Sequence, residues 1–167
     1  MASSILVTTS KDAADAIERE INALVPTMER KDIIEKSLSD FGYILITDTM
    51  EEAIECVNAI APEHLEIISK DPFSTMTYIK NAGAVFLGEY SSEPLGDYFA
   101  GPNHILPTGG TAKFFSALSV DDFVKKQSII SFSKDALKPL HSDIECFAEN
   151  EGLFAHRNSI AVRFSDE

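Results

Sequence analysis

The stretch that decides the fold is 43–68, YILITDTMEEAIECVNAIAPEHLEII. It opens and closes with short apolar runs, 43–47 and 65–68, whose composition is typical of strands covered on both faces. Thr49 stands three residues before Glu52, and this capping-box spacing predicts a helix that starts between the two runs. The apolar side chains of this helix recur on one face: Ala53, Ile54, Val57 and Ile60. The stretch therefore predicts a strand, a crossover helix and a second strand parallel to the first.

The same alternation of strand and helix extends in both directions along the chain. Upstream, the run 4–8 precedes a helix that Ser10 caps, and a shorter helical piece follows at 30–38. Downstream, Asp71–Pro72 predicts the first residues of another helix, and 84–87 has the composition of a fourth strand. Such alternation favours an α/β fold. We expect an incomplete Rossmann-like domain with a mainly parallel sheet and flanking helices.

The pattern changes towards the C-terminus, and we expect two parts. Residues 1–118 form the Rossmann-like α/β part, and residues 119–167 form a small helical tail. Within the tail, 127–132 is predicted to form one more strand, Ser133 to start a helix, and 152–163 to form the last helix.

Composition narrows the class of protein. The chain has 167 residues with 27 acidic and 14 basic side chains, a formal net charge of -13. Such a chain repels nucleic-acid phosphates and anionic lipid surfaces, so we expect neither nucleic acid nor a membrane as a partner. Its apolar runs are shorter than the roughly 18 residues that a membrane helix needs. The first residues show no secretory signal, and Cys56 and Cys146 fit apolar helical faces, so we expect buried free thiols in a cytoplasmic protein.

Candidate acid–base and metal-binding groups lie in two loops, which we expect at the carboxyl ends of the strands. The pair Glu63–His64 comes just before the third strand, and an imidazole beside a carboxylate suits general acid–base catalysis. A half-buried structural imidazole is the alternative. Asp97 and His104 lie in the glycine- and proline-rich stretch 88–110, and both side-chain types are ligands of zinc. An Asx turn and a surface histidine are the alternative there.

The tail contains two further candidates. Glu151 and His156 are five residues apart, which is off the same-face spacing of a helix but still allows both to reach one ligand from a bent segment. A solvated glutamate and a capping histidine are the alternative. His141 lies among polar residues, and we expect it to be exposed and inert.

Four phrases of the sequence, in this order, resemble one known family. They are APEHLEI at 61–67, AGAVFLG at 82–88, GDY with GPNHILPT between 96 and 108, and EGL with AHRNS between 151 and 159. They resemble the C-terminal portion of histidinol dehydrogenase, and the resemblance extends over essentially the whole chain. It implies a zinc-containing, NAD-dependent homodimer of histidine biosynthesis that oxidises L-histidinol to L-histidinal and then to L-histidine, using NAD twice.

The resemblance also implies a role for each candidate. Glu63 and His64 would be the catalytic pair, in which His64 takes and returns protons and Glu63 activates the water that adds to the aldehyde. Asp97 would be a zinc ligand, and His156 another, reaching the site from the tail of the partner subunit. The tail would thus form part of the dimer interface and complete the site of the partner subunit. Glu151 would contact the substrate amine. The implied substrate-binding residues are His64, Asp97, His104, Glu151 and His156.

The chain departs from the family pattern in length. Family members are considerably longer, and two further zinc ligands, a Gln and a His, lie upstream of the matching portion together with the residues that contact NAD. We therefore expect a C-terminal fragment that has no NAD-binding residues and is inactive alone. Two alternatives stay open. One is a non-catalytic dimerisation or binding module, and the other is a metal-dependent hydrolase that holds one ion with Asp97, His104 and His156.

Overall fold

The computed structural model describes residues 2–165. The chain divides into two compact units, Met1–Phe123 and Val124–Glu167. The first unit has the strand and helix alternation of an α/β fold, with small parallel sheets and flanking helices, as the sequence predicts. A 3-10 turn at Val120–Phe123 still belongs to this first unit. The second unit is helical.

As far as its fourth strand, the first unit follows the element order that the sequence predicts. Its strands and α-helices are β1 (Ser4–Thr8), α1 (Lys11–Leu24), α2 (Lys31–Phe41), β2 (Gly42–Ile46), α3 (Met50–Ile60), β3 (His64–Ile67), α4 (Pro72–Met76), β4 (Ala84–Leu87) and α5 (Glu93–Tyr98). The helix α5 lies in the stretch 88–110, which we expect from the sequence to be a loop. The side chains of Ser10, Thr49 and Asp71 accept N–H groups from the first turns of α1, α3 and α4. The three predicted helix starts are therefore confirmed, because each cap satisfies an N–H that has no partner within its own helix.

The four strands form two separate two-stranded sheets, in which β1 pairs with β2 and β3 pairs with β4. Both pairs are parallel, as predicted, but the expectation of one continuous sheet is corrected. The helix α3 packs against β1. Val7 of β1, Val57 of α3 and Ile67 of β3 line one apolar cavity of about 110 Å³. Within residues 2–165, side chains of α3 rather than a hydrogen-bonded ladder connect the two sheets.

The junction between α2 and β2 requires glycine. Gly42 is the first residue of β2 and lies opposite Ser4 of β1. A Cβ at this position would lie 2.5 Å from the carbonyl oxygen of Leu38, closer than nonbonded atoms approach. The chain can pass directly from helix to strand here only because the side chain is absent.

The second unit is a short run of helices. They are α6 (Lys134–Leu137), α7 (His141–Asn150) and α8 (Phe154–Ala161). Ser133 caps α6, as predicted. The helices α7 and α8 pack against each other, and Arg157 Nε lies 3.4 Å from the carboxylate of Glu149. Gly152, in the left-handed region at φ 73°, turns the chain between them, so α8 begins at Phe154, later than the sequence pattern predicts.

The predicted strand at 127–132 is wrong. Residues 124–133 have no regular secondary structure. Ile129 and Ile130 are 86% and 82% exposed. A run of β-branched residues becomes a strand only when its N–H and C=O groups find a partner edge, and none pairs with this segment among the described residues.

Three side chains have environments that differ from the sequence expectation. Cys56 is half-buried and Cys146 is exposed, so the expectation of two buried thiols is corrected. Helical spacing places residues on faces, but which face of α7 is covered depends on how α8 packs against it. His141 is half-buried rather than exposed. Its Nδ1 lies 2.9 Å from Oε1 of Glu145, and its ring stacks on Phe164 with centroids 4.6 Å apart.

The buried core consists mainly of small side chains. The buried apolar residues of the described chain are Ala14, Val25, Ala53, Ala61, Ile67, Ala112 and Ala148. Large apolar side chains are often exposed, as at Tyr90, which is 89% exposed. Across residues 2–165, no helix combines the length and the apolar character needed to cross a bilayer.

Candidate functional site

One face of the β3–β4 sheet carries the polar side chains of the candidate site. In the parallel register, His64 lies opposite Ala84 and Glu66 lies opposite Phe86. Side chains alternate along a strand, so His64, Glu66 and Phe86 share one face. Ile67 belongs to the other face and lines the apolar cavity against α3. The candidate site therefore lies on the side of the sheet away from α3.

Backbone contacts fix the loop that leads into β3. Ala61, which is fully buried, ends α3 in a left-handed conformation at φ 52°. The carbonyl of Glu63 accepts the N–H of Ala84 at 2.8 Å. A Cβ at Gly83 would lie 2.6 Å from that same carbonyl oxygen, so the two segments approach each other closely. The main chain at Glu63 and His64 is thus held against the start of β4.

The Glu63–His64 pair lies at the amino end of its strand, which corrects the expectation of a carboxyl-end site. His64 is the first residue of β3. The helix α5 nonetheless reaches it, because α5 follows β4 and runs back over the same face of the sheet. The N–H of Glu93 donates to Oε1 of Glu66 at 2.8 Å, and Asp97, one turn later, approaches His64.

A glycine brings α5 close to the sheet. A Cβ at Gly96 would lie 2.6 Å from Cε1 of Phe86 and 2.8 Å from its Cζ. Any larger residue at this position would push the helix or the ring away. The ring of Phe86 also lies 6.0 Å from the imidazole of His64, centroid to centroid. The close approach of α5 therefore carries its acidic side chains to the imidazole.

Two carboxylates of α5 face the imidazole of His64. The Nε2 atom lies 3.8 Å from Oδ1 of Asp97 and 4.0 Å from Oε1 of Glu93. All three side chains are half-buried, and their potential ligand atoms lie within 4.8 Å of one another. Nε2 is itself buried and has no hydrogen-bond partner among the described residues. The arrangement presents one imidazole nitrogen and two carboxylates to a common point.

The electrostatics of this cluster raise the pKa of Glu93 above its ordinary value. Partial burial is the largest cause, followed by the hydrogen bond and the negative charge of Asp97, while the charge of Glu66 adds to the effect. A positive charge on His64 acts in the opposite direction and lowers the pKa. The two carboxylates therefore repel each other, and a bound cation would relieve that repulsion.

A cavity of about 480 Å³ lies beside the cluster. Asp97, Gly96 and Phe86 contribute to its wall, and Leu95 and Asn103 contribute further. Most of the other lining residues are apolar. Cavities of this size that combine an apolar wall with a few polar groups are typical of small-molecule sites.

His104 lies outside the cluster. It is exposed in the segment that follows α5, where the side chain of Asn103 accepts the N–H of Ile105 at 2.9 Å. The structure groups Asp97 with His64 and Glu93, and not with His104. The substrate-binding role of His104 therefore stays a prediction, and the hydrolase alternative has no support from this grouping.

The tail candidates belong to the second unit. Glu151 is exposed at the C-terminal end of α7, and His156 is exposed in the first turns of α8. The left-handed Gly152 separates the two helices. Both side chains are thus accessible for contacts outside their own unit, and their roles remain predictions.

The sequence reasoning missed two residues of this face, Glu93 and Glu66. Glu93 could have been identified from the sequence. Ser92 and Pro94 mark the start of a helix, and Glu93 stands four residues before Asp97, a spacing that places both carboxylates on one helix face. Glu66 could not have been identified in this way, because its hydrogen bond to α5 joins residues that are distant in sequence.

The cluster is chemically suited to a divalent cation. A histidine nitrogen and two carboxylate oxygens are the donor types that zinc takes in proteins. The same atoms are equally suited to proton transfer, with the imidazole as base and the carboxylates stabilising its protonated form.

Comparison with known proteins gives a consistent result. A family model described as histidinol dehydrogenase matches residues 1–164. The histidinol dehydrogenase of Caldanaerobacter subterraneus subsp. tengcongensis is 56% identical over 167 residues, which is 100% of this chain and 39% of that protein. The histidinol dehydrogenase of Clostridium acetobutylicum is 56% identical over 164 residues, which is 98% of this chain and 38% of that protein.

The fold has a counterpart among solved structures. The crystal structure of histidinol dehydrogenase from Elizabethkingia anophelis matches with a TM-score of 0.86 at 34% sequence identity. The match covers 97% of this chain and 37% of that one. The chain thus spans between 37% and 39% of the length of these three proteins.

Proposed function

Because the chain belongs to the histidinol dehydrogenase family, we propose that it supplies the acid–base portion of an active site that oxidises L-histidinol to L-histidine through L-histidinal, with NAD as the oxidant. One observation carries the proposal. Nε2 of His64 lies 3.8 Å from a carboxylate oxygen of Asp97, beside a cavity of small-molecule size. The relatives are longer than this chain, so the activity is proposed for the chain joined to the portion that it does not span.

His64 is the proton carrier in this proposal. Its Nε2 is buried and has no hydrogen-bond partner in residues 2–165, so an entering substrate hydroxyl would find a free acceptor. The neutral imidazole takes the hydroxyl proton as the alcohol is oxidised and returns a proton in a later step. The carboxylates of Asp97 and Glu93 stabilise the imidazolium that this transfer creates.

Glu63 serves the second oxidation. The aldehyde carbon carries no hydroxyl, so water must add to it before a second oxidation can occur. A carboxylate next to the proton carrier can remove a proton from that water. The carbonyl of Glu63 is hydrogen-bonded to Ala84, and the side chain is half-buried, which supports a fixed position for this base.

The proposal assigns residues of this chain to zinc but none to NAD. Carboxylate and imidazole are donor types that zinc takes in proteins, so we assign Asp97 as the ligand from the first unit and His156 as a second ligand, and His64 keeps its role as proton carrier. When bound, zinc would orient the amino alcohol and stabilise negative charge on its oxygen, and NAD would accept hydride. We assign no residue of this chain to NAD.

Substrate binding and assembly complete the proposal. A carboxylate suits an ammonium group, so Glu151 is assigned to the substrate amine. His104, which is exposed after α5 and follows the cavity-lining Asn103, is assigned to substrate contact. A homodimer in which the second unit crosses to the partner subunit would bring Glu151 and His156 to the site. Their exposure in this chain leaves them available for that role.

A chimera tests the proposal. The part of the C. subterraneus enzyme that precedes the match would be joined to this chain, and the intact relative would serve as the positive control. The 56% identity over 167 residues favours correct assembly. We expect NADH from the purified chimera only when L-histidinol is present, and none from the 167-residue chain alone. A folded, zinc-containing chimera without histidinol-dependent NADH contradicts the proposal.

A non-catalytic assembly role is the second candidate, and one observation favours it. Apolar side chains are exposed in the segment 124–133, namely Val124, Ile129, Ile130 and Phe132. Contiguous exposed apolar side chains mark association surfaces. An assembly module would form dimers in light scattering, and the chimera built on it would bind no zinc. Zinc uptake by the chimera therefore separates the two functions.

A further inference from the structure

We infer that Glu66 is a positioning residue of this site, whose carboxylate fixes α5 along β3 so that Asp97 and Glu93 face His64. The inference rests on the proposed function, because it assigns a part in the same site to a residue for which the family resemblance implies no role. Glu66 acts through α5 and is not proposed to contact the substrate.

The first turn of α5 lacks a cap from its own sequence. Ser92 occupies the N-cap position, but its side chain makes no capping hydrogen bond. Pro94 has no N–H to be satisfied. Oε1 of Glu66 instead accepts the N–H of Glu93 at 2.8 Å. By contrast, α1, α3 and α4 are each capped by the side chain that directly precedes them. In α5 the hydrogen-bond acceptor comes instead from Glu66 of the strand β3.

The hydrogen bond sets distances within the site. Glu66 and His64 are two residues apart on one face of β3. Glu93 and Asp97 are one turn apart on α5. Anchoring the N–H of Glu93 at Glu66 therefore places Asp97 alongside His64, where the two side chains are 3.8 Å apart.

Packing alone does not fix α5 along the strand. Two apolar side chains at the end of this segment are largely solvated, with Tyr98 85% and Phe99 90% exposed, and Leu95 is 42% exposed. The contact between Gly96 and the ring of Phe86 limits how close the helix comes to the sheet. Such a van der Waals contact has no preferred direction, so it still permits movement of α5 along the strand. The directional bond from Glu93 to Glu66 removes that freedom, since a hydrogen bond weakens steeply when it is stretched or bent.

The acceptor atom, rather than the charge, is the essential feature. Glu66→Gln keeps an oxygen that can accept the Glu93 N–H, whereas Glu66→Ala removes it. Glu89 is exposed in the loop that connects β4 to α5, so Glu89→Ala removes a nearby negative charge and serves as the matched control.

Amide hydrogen exchange tests the structural step on the isolated chain. In the ¹⁵N-labelled protein, we expect Glu66→Ala to speed exchange of the Glu93 amide by roughly two- to thirtyfold, the equivalent of a lost helix cap. Glu66→Gln and Glu89→Ala should change this rate by less than about twofold. An unchanged rate in Glu66→Ala, with the chain still folded, overturns the inference.

Kinetics in the chimera test the positioning step. We expect Glu66→Ala to lower kcat by roughly tenfold with a smaller effect on KM, because the displaced groups act on the reacting atoms. Glu66→Gln should restore kcat, a rescue that loss of overall stability would not give. Faster Glu93 exchange together with an unchanged kcat overturns the inference. If the wild-type chimera itself is inactive, the proposed function fails, while the exchange result still decides whether Glu66 anchors α5.

Discussion

Nε2 of His64 lies 3.8 Å from Oδ1 of Asp97, although the two residues belong to β3 and α5, which α4 and β4 separate in the chain. The distance is close enough for strong electrostatic interaction but longer than a hydrogen bond. The pair is therefore open to a third group, which can bond to both.

Glu63→Gln in the chimera should separate the two oxidations. The first oxidation needs no added water, so we expect it to continue. The second should slow by roughly 10²- to 10⁴-fold, as expected when a general base is removed. Product analysis would then find L-histidinal or its hydrate accumulating, with NADH formed once rather than twice for each histidinol. Full conversion to histidine at the wild-type rate would exclude Glu63 as the base.

Asp97→Asn should weaken zinc binding by the chimera. The amide replaces a charged ligand with a neutral one, and the ligand types at zinc sites are thiolate, imidazole and carboxylate. We expect lower zinc content after dialysis and lower activity at limiting zinc. Asp12→Asn, on the exposed side of α1, is the control and should keep the wild-type zinc content. Equal zinc content in both variants would remove Asp97 from the ligand set.

Glu93→Gln should change how stability depends on pH. The pKa of Glu93 is raised in the folded chain, so its ionisation costs stability. The cost is absent below the pKa that Glu93 has in the unfolded chain, and it is complete above the pKa that Glu93 has in the folded chain. It therefore grows as the pH rises between these two values. We expect the variant to be slightly more stable than the wild type at neutral pH and equal to it below about pH 4.

Urea unfolding in metal-free buffer at a series of pH values measures this difference. The effect is small, since the side chain of Glu93 is 37% exposed and solvent screens its charge. Glu89→Gln, which replaces an exposed glutamate, should track the wild type at every pH. A stability gain that is larger in acid than at neutral pH would contradict the assigned direction.

Gly96→Ala should destabilise the first unit despite the better helix propensity of alanine. Propensity alone favours alanine by about 1 kcal/mol. A Cβ at position 96 would lie 2.6 Å from Cε1 of Phe86, and forcing a methyl into such a contact costs roughly 1–3 kcal/mol. We expect a lower free energy of unfolding and a loss of chimera activity. Adding Phe86→Leu should recover part of the lost stability and part of the lost activity, because it removes the clashing ring atoms.

A double-mutant cycle over these two positions measures the coupling directly. Independent effects would add, whereas the contact predicts a favourable coupling free energy in the double variant. A Gly96→Ala variant that is more stable than the wild type would show that α5 moves away from Phe86 without cost.

Local signals in the sequence predicted the elements of the first unit from β1 to β4, but not α5. The caps at Ser10, Thr49 and Asp71 could be predicted because each involves residues three positions apart. The pairing of the strands into two sheets could not be predicted. The alternation of strands and helices indicates parallel strands, but it does not say which strand edges meet. The strand predicted at 127–132 failed for the same reason, because a composition typical of strands says nothing about an available edge.

The site was predicted in part. His64 and Asp97 were both identified from the sequence, and the structure brings them together. The expected carboxyl-end location was wrong because α5 folds back over the sheet to reach the start of β3. Glu93 was recoverable from its helical spacing to Asp97, whereas the Glu66 contact depends on that fold-back and leaves no local trace.

The central claim is that the imidazole of His64 transfers protons in histidinol oxidation, and single-turnover NADH formation by the chimera tests it most directly. We predict that His64→Gln slows NADH formation from L-histidinol by roughly 10²-fold or more while zinc content stays unchanged. His141→Gln, which alters a histidine bound to Glu145 in the second unit, should keep the wild-type rate. A His64→Gln chimera that forms NADH as fast as the wild type would contradict the account.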